Sequence, residues 1–126
     1  MKTILSIEDN EANRLLLERV LEPHPYRLIQ AEDGESGFKM ALEEQPDLIL
    51  VDMGLPDIDG QTVATLLRQI PEFEKVPLIA ITAWPEDKAQ EMAAQYGFDG
   101  CITKPMDILA FPAFISRFLG AEAASA

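Results

Sequence analysis

The chain contains very little of the chemistry on which several protein classes depend. Its 126 residues include 1 cysteine, 1 histidine and 1 tryptophan. One cysteine excludes an internal disulfide framework and favours a reducing compartment. No uninterrupted apolar segment approaches the roughly 20 residues that a membrane helix needs. Acidic residues begin at Glu8 and Asp9, too early for a signal peptide. We therefore predict a cytoplasmic protein that does not insert into a membrane.

Basic residues are scarce as well. The chain has 10 lysines and arginines against 22 aspartates and glutamates, which gives a formal net charge of -12. This charge disfavours direct binding to nucleic acid or to an anionic membrane, because both surfaces are negative. Cations and other proteins remain as partners. The length and the hydrophobic fraction of 48% are sufficient for one domain with one core.

Short apolar segments alternate with amphipathic segments along the whole chain. The apolar segments are residues 4–7, 26–31, 47–52, 76–82 and 100–103. Five strands alternating with five helices through short connections predict an α/β fold, with a parallel sheet covered on both faces. We expect a single domain over residues 1–120 and a flexible tail over residues 121–126.

The amphipathic segments predict which side chains face the core. Leu16, Leu42 and Leu66 fall within the apolar stripes of the first three helices, so we expect them to point inward. Pro112 would remove an internal hydrogen bond from a helix that began at Ile108. We therefore expect the last helix to start near residues 110–112.

Residues 47–56 indicate a candidate ligand-binding site. Four apolar residues lead without interruption to Asp52, and a loop containing Gly54 and Pro56 follows. Such a run is typical of a strand buried on both faces. Asp52 would then lie at the carboxyl edge of the sheet, where open α/β sheets bind their ligands. Taken alone, Asp52 is better explained as an ordinary turn or capping aspartate, and only the rest of the chain favours a site.

The other strands bring polar residues to the same edge. Glu8 and Asp9 follow the first strand, Thr82 ends the fourth and Lys104 follows the fifth. Each has an ordinary interpretation on its own, as a helix cap, a strand residue or a surface lysine. Together with Asp52 they place three carboxylates, a hydroxyl and an ammonium group at one edge of the sheet.

Crowded carboxylates repel one another unless a cation lies between them. Ligands that are all oxygen atoms favour a hard cation, and Mg²⁺ fits best. Lys104 and Thr82 would face an incoming anion. This combination predicts Mg²⁺-dependent phosphoryl transfer to Asp52.

These motifs resemble the receiver domain of two-component response regulators. The matching segments are Ile-Glu-Asp-Asn at 7–10, residues 50–60, Ile-Thr-Ala at 81–83 and Thr-Lys-Pro at 103–105. The resemblance covers nearly the whole chain and implies a flavodoxin-like sheet of strand order 2-1-3-4-5. It also implies that Asp52 accepts the phosphoryl group.

The same resemblance implies roles for the neighbouring residues. Asp9 would bind Mg²⁺ directly, Glu8 mainly through water, and Gly54 through its backbone carbonyl. Thr82 would contact the phosphoryl group and move on activation, and Lys104 would pair with that group.

The resemblance has further implications for two positions in and just after the fifth predicted strand. Pro105, after the lysine, would follow a cis peptide bond. The family's mobile aromatic residue lies three positions before the lysine, where this chain has Cys101. We interpret Cys101 as a small core residue rather than a redox sensor.

The resemblance also implies a function. The chain would be a signalling domain rather than an enzyme with a separate substrate. It would accept a phosphoryl group from the phosphohistidine of a histidine kinase or phosphotransfer protein in a two-component or phosphorelay pathway. It would then signal through a protein target on the face formed by the last two helices and the fifth strand.

Three assignments compete at this level. We expect no output domain after residue 120 and therefore favour a stand-alone receiver similar to the cell-cycle and cell-polarity type. A receiver belonging to a hybrid histidine kinase or a longer regulator is an alternative. A small Mg²⁺-dependent aspartyl phosphatase of the haloacid-dehalogenase type is disfavoured, because it needs a second aspartate at position 54, where this chain has glycine.

Overall fold

A computed structural model describes residues 1–119, and the predicted tail lies outside this range. The strands are β1 Lys2–Ile7, β2 Tyr26–Ala31, β3 Leu48–Asp52, β4 Leu78–Thr82 and β5 Gly100–Thr103. The helices are α1 Glu11–Leu21, α2 Gly34–Glu44, α3 Gly60–Arg68, α4 Glu86–Tyr96 and α5 Phe111–Leu119. A short 3-10 helix, Pro71–Phe73, follows α3. None of the helices within residues 1–119 is long and apolar enough to cross a membrane.

The five strands form one parallel sheet in the order β2-β1-β3-β4-β5, which confirms the predicted fold class and strand order. The pairing register fixes the level at which each strand ends. Ile7 pairs with Val51, so the residue after Ile7 lies level with Asp52. Thr82 pairs with Thr103, so the residue after β5 follows just beyond Thr82. The register therefore brings the ends of β1, β3, β4 and β5 to one edge.

Helices cover both faces of the sheet. On one face α1 and α5 pack on a core that includes Ile4, Leu50 and Ile115. On the other face α2, α3 and α4 pack on a second core that includes Leu5 and Val51. All side chains of β3 and β4 are buried, as expected for central strands covered on both sides.

The apolar stripes of the first three helices are narrower than the sequence predicts. Leu16, Leu42 and Leu66 are 36%, 43% and 38% exposed, so the prediction that they point inward is wrong. The positions that face the sheet in these helices are occupied by neighbours such as Leu17 and Ala41. The three leucines lie at the margins of the stripes, because one turn of a helix presents only part of its circumference to a flat sheet.

Local sequence signals place the helix ends. Asn10 caps α1 by accepting the backbone N–H of Asn13 at 3.0 Å. Gly97 ends α4 with a φ of 84°, a conformation that favours glycine. Helix α5 begins at Phe111, which confirms the predicted start, because Pro112 then lies in the first turn where its missing N–H costs nothing.

Arg68 links several elements at the edge of the sheet where the strands begin, opposite to the edge that carries the site residues. Its guanidinium donates to the carbonyls of Phe73 at 2.7 Å, Val76 at 2.8 Å and Gly97 at 2.9 Å. It also forms an ion pair with Asp99 at 2.7 Å. One side chain thus connects the end of α3, the start of β4 and the end of α4.

Candidate functional site

Asp52 lies at the end of β3 and is only 3% exposed. Its Oδ1 atom accepts a hydrogen bond from the backbone N–H of Gly54 at 3.0 Å. The same oxygen accepts from Nζ of Lys104 at 3.2 Å. A buried carboxylate that accepts two donors, one of them charged, is held in its ionised form.

Glu8, Asp9 and Asp52 form a compact acidic cluster. One carboxylate oxygen from each lies within 4.8 Å of the others. Glu8 is buried at 5% exposure, whereas Asp9 is exposed. Oxygen atoms on opposite sides of an octahedral Mg²⁺ lie about 4.2 Å apart, twice the usual Mg–O distance. The cluster is thus already close to the dimensions of a magnesium site, and its donors are of the type that Mg²⁺ prefers.

The two buried carboxyl groups have opposite pKa shifts. Burial and the hydrogen bond to Asp52 raise the pKa of Glu8 from 4.5 to about 7. Burial alone would also raise the pKa of Asp52, but the hydrogen bonds from Glu8 and Gly54 and the charge of Lys104 lower it overall. The arrangement therefore concentrates negative charge on Asp52, the residue proposed to react.

Lys104 is the cation of the site. Its ammonium group lies 3.2 Å from Asp52 and 3.8 Å from Glu8. Its backbone N–H donates to the carbonyl of Thr82 at 2.8 Å, which extends the pairing of β4 and β5 by one residue. The bond from Lys104 to Pro105 is cis, as the resemblance implied. The lysine is therefore fixed to the sheet on the same side as the carboxylates.

Thr82 ends β4 and is 2% exposed. Its hydroxyl accepts the backbone N–H of Trp84 at 3.1 Å, so it holds the first turn of the loop that leads into α4. Trp84 itself is 46% exposed. A movement of the Thr82 hydroxyl would therefore release a contact at the start of that loop.

The loop after β3 brings Gly54 to the site and is attached to a neighbouring helix. Gly54 is exposed beside Asp52. Asp57 accepts the backbone N–H groups of Gly34 at 2.8 Å and Glu35 at 2.9 Å. These hydrogen bonds lower the pKa of Asp57. The loop is thus anchored to the N-terminus of α2, an attachment that the sequence did not indicate.

Two further residues hold Glu8 in place, and sequence reasoning missed both. Nδ2 of Asn13 donates to Oε1 of Glu8 at 3.2 Å. The guanidinium of Arg14 donates to the backbone carbonyl of Glu8 at 3.0 Å and forms an ion pair with Glu32 at 3.3 Å. Their positions in the first turn of α1 were a signal, because this turn directly follows Glu8 and Asp9.

Cys101 lies on β5, half-buried against the core. Burial, with the nearby charge of Glu86, raises the pKa of its thiol. A raised pKa disfavours the reactive thiolate. The surroundings are those of a small core residue, in line with our interpretation.

Two cavities lie beside the segment that follows β5. One, of about 430 Å³, lies between α1 and the segment after β5, and its lining includes Glu8, Asn13, Leu16, Lys104 and Met106. The other, of about 790 Å³, lies on the face formed by α4, β5 and α5.

Comparison with known proteins gives a consistent result. The sequence profile of the response regulator receiver domain matches residues 4–115. The polar-differentiation response regulator DivK of Brucella anthropi is 34% identical over 119 residues, which cover 94% of this chain and 97% of that protein. DivK of Brucella ovis is also 34% identical, over the same share of both chains.

Solved structures of similar fold belong to the same class. The receiver domain of a sensor histidine kinase from Pseudomonas aeruginosa, with a magnesium ion coordinated in its active-site cleft, has a TM-score of 0.85 and 29% identity. The match covers 95% of this chain and 98% of that one. The chemotaxis response regulator CheY4 of Vibrio cholerae, at 19% identity, shares the fold with a TM-score of 0.88 over 94% of this chain and 98% of that one. The match of the family profile over most of the chain, with the DivK relatives, shows that this protein belongs to the response regulator receiver family of two-component signalling.

Proposed function

We propose that the protein is a phosphoacceptor receiver in a two-component or phosphorelay pathway, with Asp52 as its phosphorylation site. The observation that carries the proposal is the contact of Lys104 with Asp52, inside a cluster that also contains Glu8 and Asp9. A carboxylate at the end of a central strand, paired with one ammonium group and two further acids, suits the transfer of a phosphoryl group to that carboxylate.

In the proposed reaction a carboxylate oxygen of Asp52 attacks the phosphorus atom of a phosphohistidine. The new P–O bond forms as the P–N bond breaks, and the electron pair of that bond returns to the imidazole nitrogen. Mg²⁺, held by Asp9, Asp52 and the Gly54 carbonyl with Glu8 acting through water, would supply positive charge at the phosphoryl oxygens. The ammonium group of Lys104 already lies 3.2 Å from Asp52 and would form an ion pair with the transferred phosphoryl group.

The phosphodonor would be a histidine kinase or a histidine phosphotransfer protein. Asp52 is buried, so a donor protein has to contact the rim of the site in order to deliver its phosphohistidine. Leu16, at 36% exposure, lines the 430 Å³ cavity beside Glu8 and Lys104, and two more exposed apolar side chains, Ile108 at 45% and Leu109 at 91%, follow β5. They lie on α1 and on the segment after β5, the two elements on either side of the 430 Å³ cavity. An apolar rim of this kind suits a protein partner.

The signal would leave through the face formed by α4, β5 and α5. The cleft of about 790 Å³ on that face is lined by Cys101, Phe114, Arg117, Phe118 and other residues of these elements. Because the hydroxyl of Thr82 holds the loop that leads into α4, its attraction to a phosphoryl group would alter the edge of this cleft. The downstream partner, a protein, would bind this face in one of the two states.

The proposal is tested with a small-molecule phosphodonor such as acetyl phosphate. The wild-type protein should gain the mass of one phosphoryl group in Mg²⁺ and none in excess chelator. No mass gain under either condition, in a folded protein that binds Mg²⁺, would contradict the proposed chemistry. Equal mass gain in chelator would contradict the proposed role of Mg²⁺.

A further inference from the structure

Glu8 takes a helix-capping role that normally belongs to a residue inside the helix. In a capping box, the side chain at the third helical position accepts the backbone N–H of the N-cap residue. In α1 the N-cap is Asn10 and the third position is Asn13. The backbone N–H of Asn10 is bound instead by Oε2 of Glu8, at 3.1 Å.

This exchange leaves the side chain of Asn13 available for another contact. Its amide donates to Oε1 of Glu8 at 3.2 Å, while its own backbone N–H is bound by the Asn10 side chain at 3.0 Å. Both oxygens of Glu8 are therefore held by the first turn of α1. The ammonium group of Lys104 lies further from this carboxylate, at 3.8 Å.

From this geometry we propose that Asn13 is a positioning residue for the magnesium site, which acts by fixing the carboxylate of Glu8. The inference rests on the proposed function, in which Glu8 holds a water molecule on Mg²⁺. A water-mediated ligand has to present a defined oxygen in a defined direction, because Mg²⁺ tolerates little departure from octahedral geometry.

The amide has the chemistry that this position requires. The amide donates a hydrogen bond that stabilises the charged form of Glu8. Because it is neutral, it does not compete with the cation for the carboxylate as a second ammonium group would. Asn13 is half-buried and lines the 430 Å³ cavity beside Lys104. It therefore reaches Glu8 from α1, an element that supplies none of the three acids of the cluster.

The test measures Mg²⁺ affinity by calorimetry, without any phosphodonor, together with thermal unfolding in Mg²⁺ and in chelator. Asn13→Ala should bind Mg²⁺ about three- to tenfold more weakly than wild type, a smaller loss than removal of a direct partner of a ligand usually causes. Asn13→Gln keeps an amide N–H on a longer side chain and should recover most of the affinity. In Asn13→Ala the increase in Tm that Mg²⁺ produces should shrink, while Tm in chelator should change little.

The chain offers a matched control on another helix. Nε2 of Gln90 donates to Oε1 of Glu86, also at 3.2 Å, on the exposed surface of α4. Gln90→Ala removes a hydrogen bond of the same type and length but should leave Mg²⁺ affinity unchanged. An equal loss in this control would show that the effect is not specific to Glu8.

Several results would overturn the inference. One is an unchanged Mg²⁺ affinity in Asn13→Ala. Another is an Asn13→Ala variant whose only change is a lower Tm in chelator. The third is an Asn13→Gln variant that binds Mg²⁺ as weakly as Asn13→Ala. Each would reduce Asn13 to an ordinary residue of a helix start. In each of these cases the wild-type protein still binds Mg²⁺, so only this inference fails. If the wild-type protein itself bound no Mg²⁺, the proposed function would fail as well, and the wild-type measurement therefore distinguishes the two failures.

Discussion

The Nζ atom of Lys104 lies 3.2 Å from the Oδ1 atom of Asp52, although the two residues are 52 positions apart in the chain. Lys104 follows β5 and Asp52 ends β3, so the lysine reaches the carboxylate across the end of β4. The same ammonium group lies 3.8 Å from Glu8. One cation thus compensates two buried carboxyl groups.

The first prediction concerns this contact. Lys104→Ala should slow phosphorylation of Asp52 by about 100-fold or more, because it removes a charge aimed at the reacting group. In chelator it should also lower the Tm, since Glu8 and Asp52 would lose their nearby cation. Phosphorylation rates from intact mass and thermal melts measure both effects.

Lys88 provides the control for the Lys104 experiment. It is exposed on α4, so Lys88→Ala removes the same charge away from the cluster and should leave both quantities close to wild type. Similar phosphorylation rates in the Lys104→Ala and wild-type proteins would refute the proposed role of the lysine.

The second prediction separates phosphorylation from signalling. Thr82→Ala should still be phosphorylated at Asp52, because one hydrogen bond contributes only about 0.5–3 kcal/mol. It should fail to change the face of α4, β5 and α5, because the hydroxyl that holds the N–H of Trp84 is gone. Thr82→Ser keeps the hydroxyl and should behave like wild type.

Amide hydrogen exchange in the presence and absence of beryllofluoride measures the second prediction. In the wild type and in Thr82→Ser the change should extend through residues 82–105, and in Thr82→Ala it should stay near the loop after β3. If residues 82–105 respond equally in Thr82→Ala, Thr82 is not the switch.

The third prediction follows from the pKa of Glu8, which is raised from 4.5 to about 7. Below pH 4.5 the carboxyl is protonated in both the folded and unfolded states, and its contribution to stability is complete. As pH rises through about 7, the folded protein must ionise a buried group, and that contribution is lost. At about 1.4 kcal/mol per pKa unit, the rise from 4.5 to about 7 corresponds to a loss of roughly 3 kcal/mol.

Urea unfolding in chelator between pH 4.5 and pH 8 measures this loss. Glu8→Gln cannot ionise and should show a flatter profile than wild type. Asp52 does not interfere in this window, because its pKa is lowered and its effect appears only in acid. Mg²⁺ should diminish the loss in wild type. Parallel profiles for the wild-type and Glu8→Gln proteins would contradict the assignment.

The fourth prediction concerns stability far from the site. Arg68→Ala should lower the free energy of unfolding by about 2–4 kcal/mol, because it leaves several backbone carbonyls and Asp99 without their charged donor. Arg27→Ala should cost under about 1 kcal/mol, because its ion pair with Glu44 is exposed. Phosphorylation of Asp52 should survive in both variants. Equal denaturation midpoints for the two variants would contradict the role given to Arg68.

Much of the fold could be predicted because its determinants are local. Apolar runs of strand length alternate with amphipathic segments, and residues such as Gly97 and Pro112 mark helix ends. The convergence of Asp52, Thr82 and Lys104 also followed, because parallel strands end at one edge of a sheet. The sequence pattern did not determine which side chains at the margins of each helix would be buried. Leu42 shows why, since a position at the margin of an apolar stripe is settled by how the helix rotates on the sheet.

The supporting contacts of the site were beyond the sequence pattern. The hydrogen bond that Asn13 donates to Glu8 depends on how the chain passes from β1 into α1. The hydrogen bonds that Asp57 accepts from α2 connect residues 22 and 23 positions apart. Polar residues in helix starts and loops are common, and only the packed structure shows which of them contact a functional group. Arg68 belongs to the same class, since a surface arginine at the end of a helix gave no sign of its five hydrogen bonds.

The measurement that tests the central claim most directly is identification of the phosphorylated residue. The protein is incubated with acetyl phosphate and Mg²⁺, the acyl phosphate is reduced with borohydride, and the modified residue is located by peptide mass spectrometry. We predict that modification occurs at Asp52 and that Asp52→Asn gains no phosphoryl mass. Modification at another residue, or an undiminished mass gain in Asp52→Asn, would contradict the account.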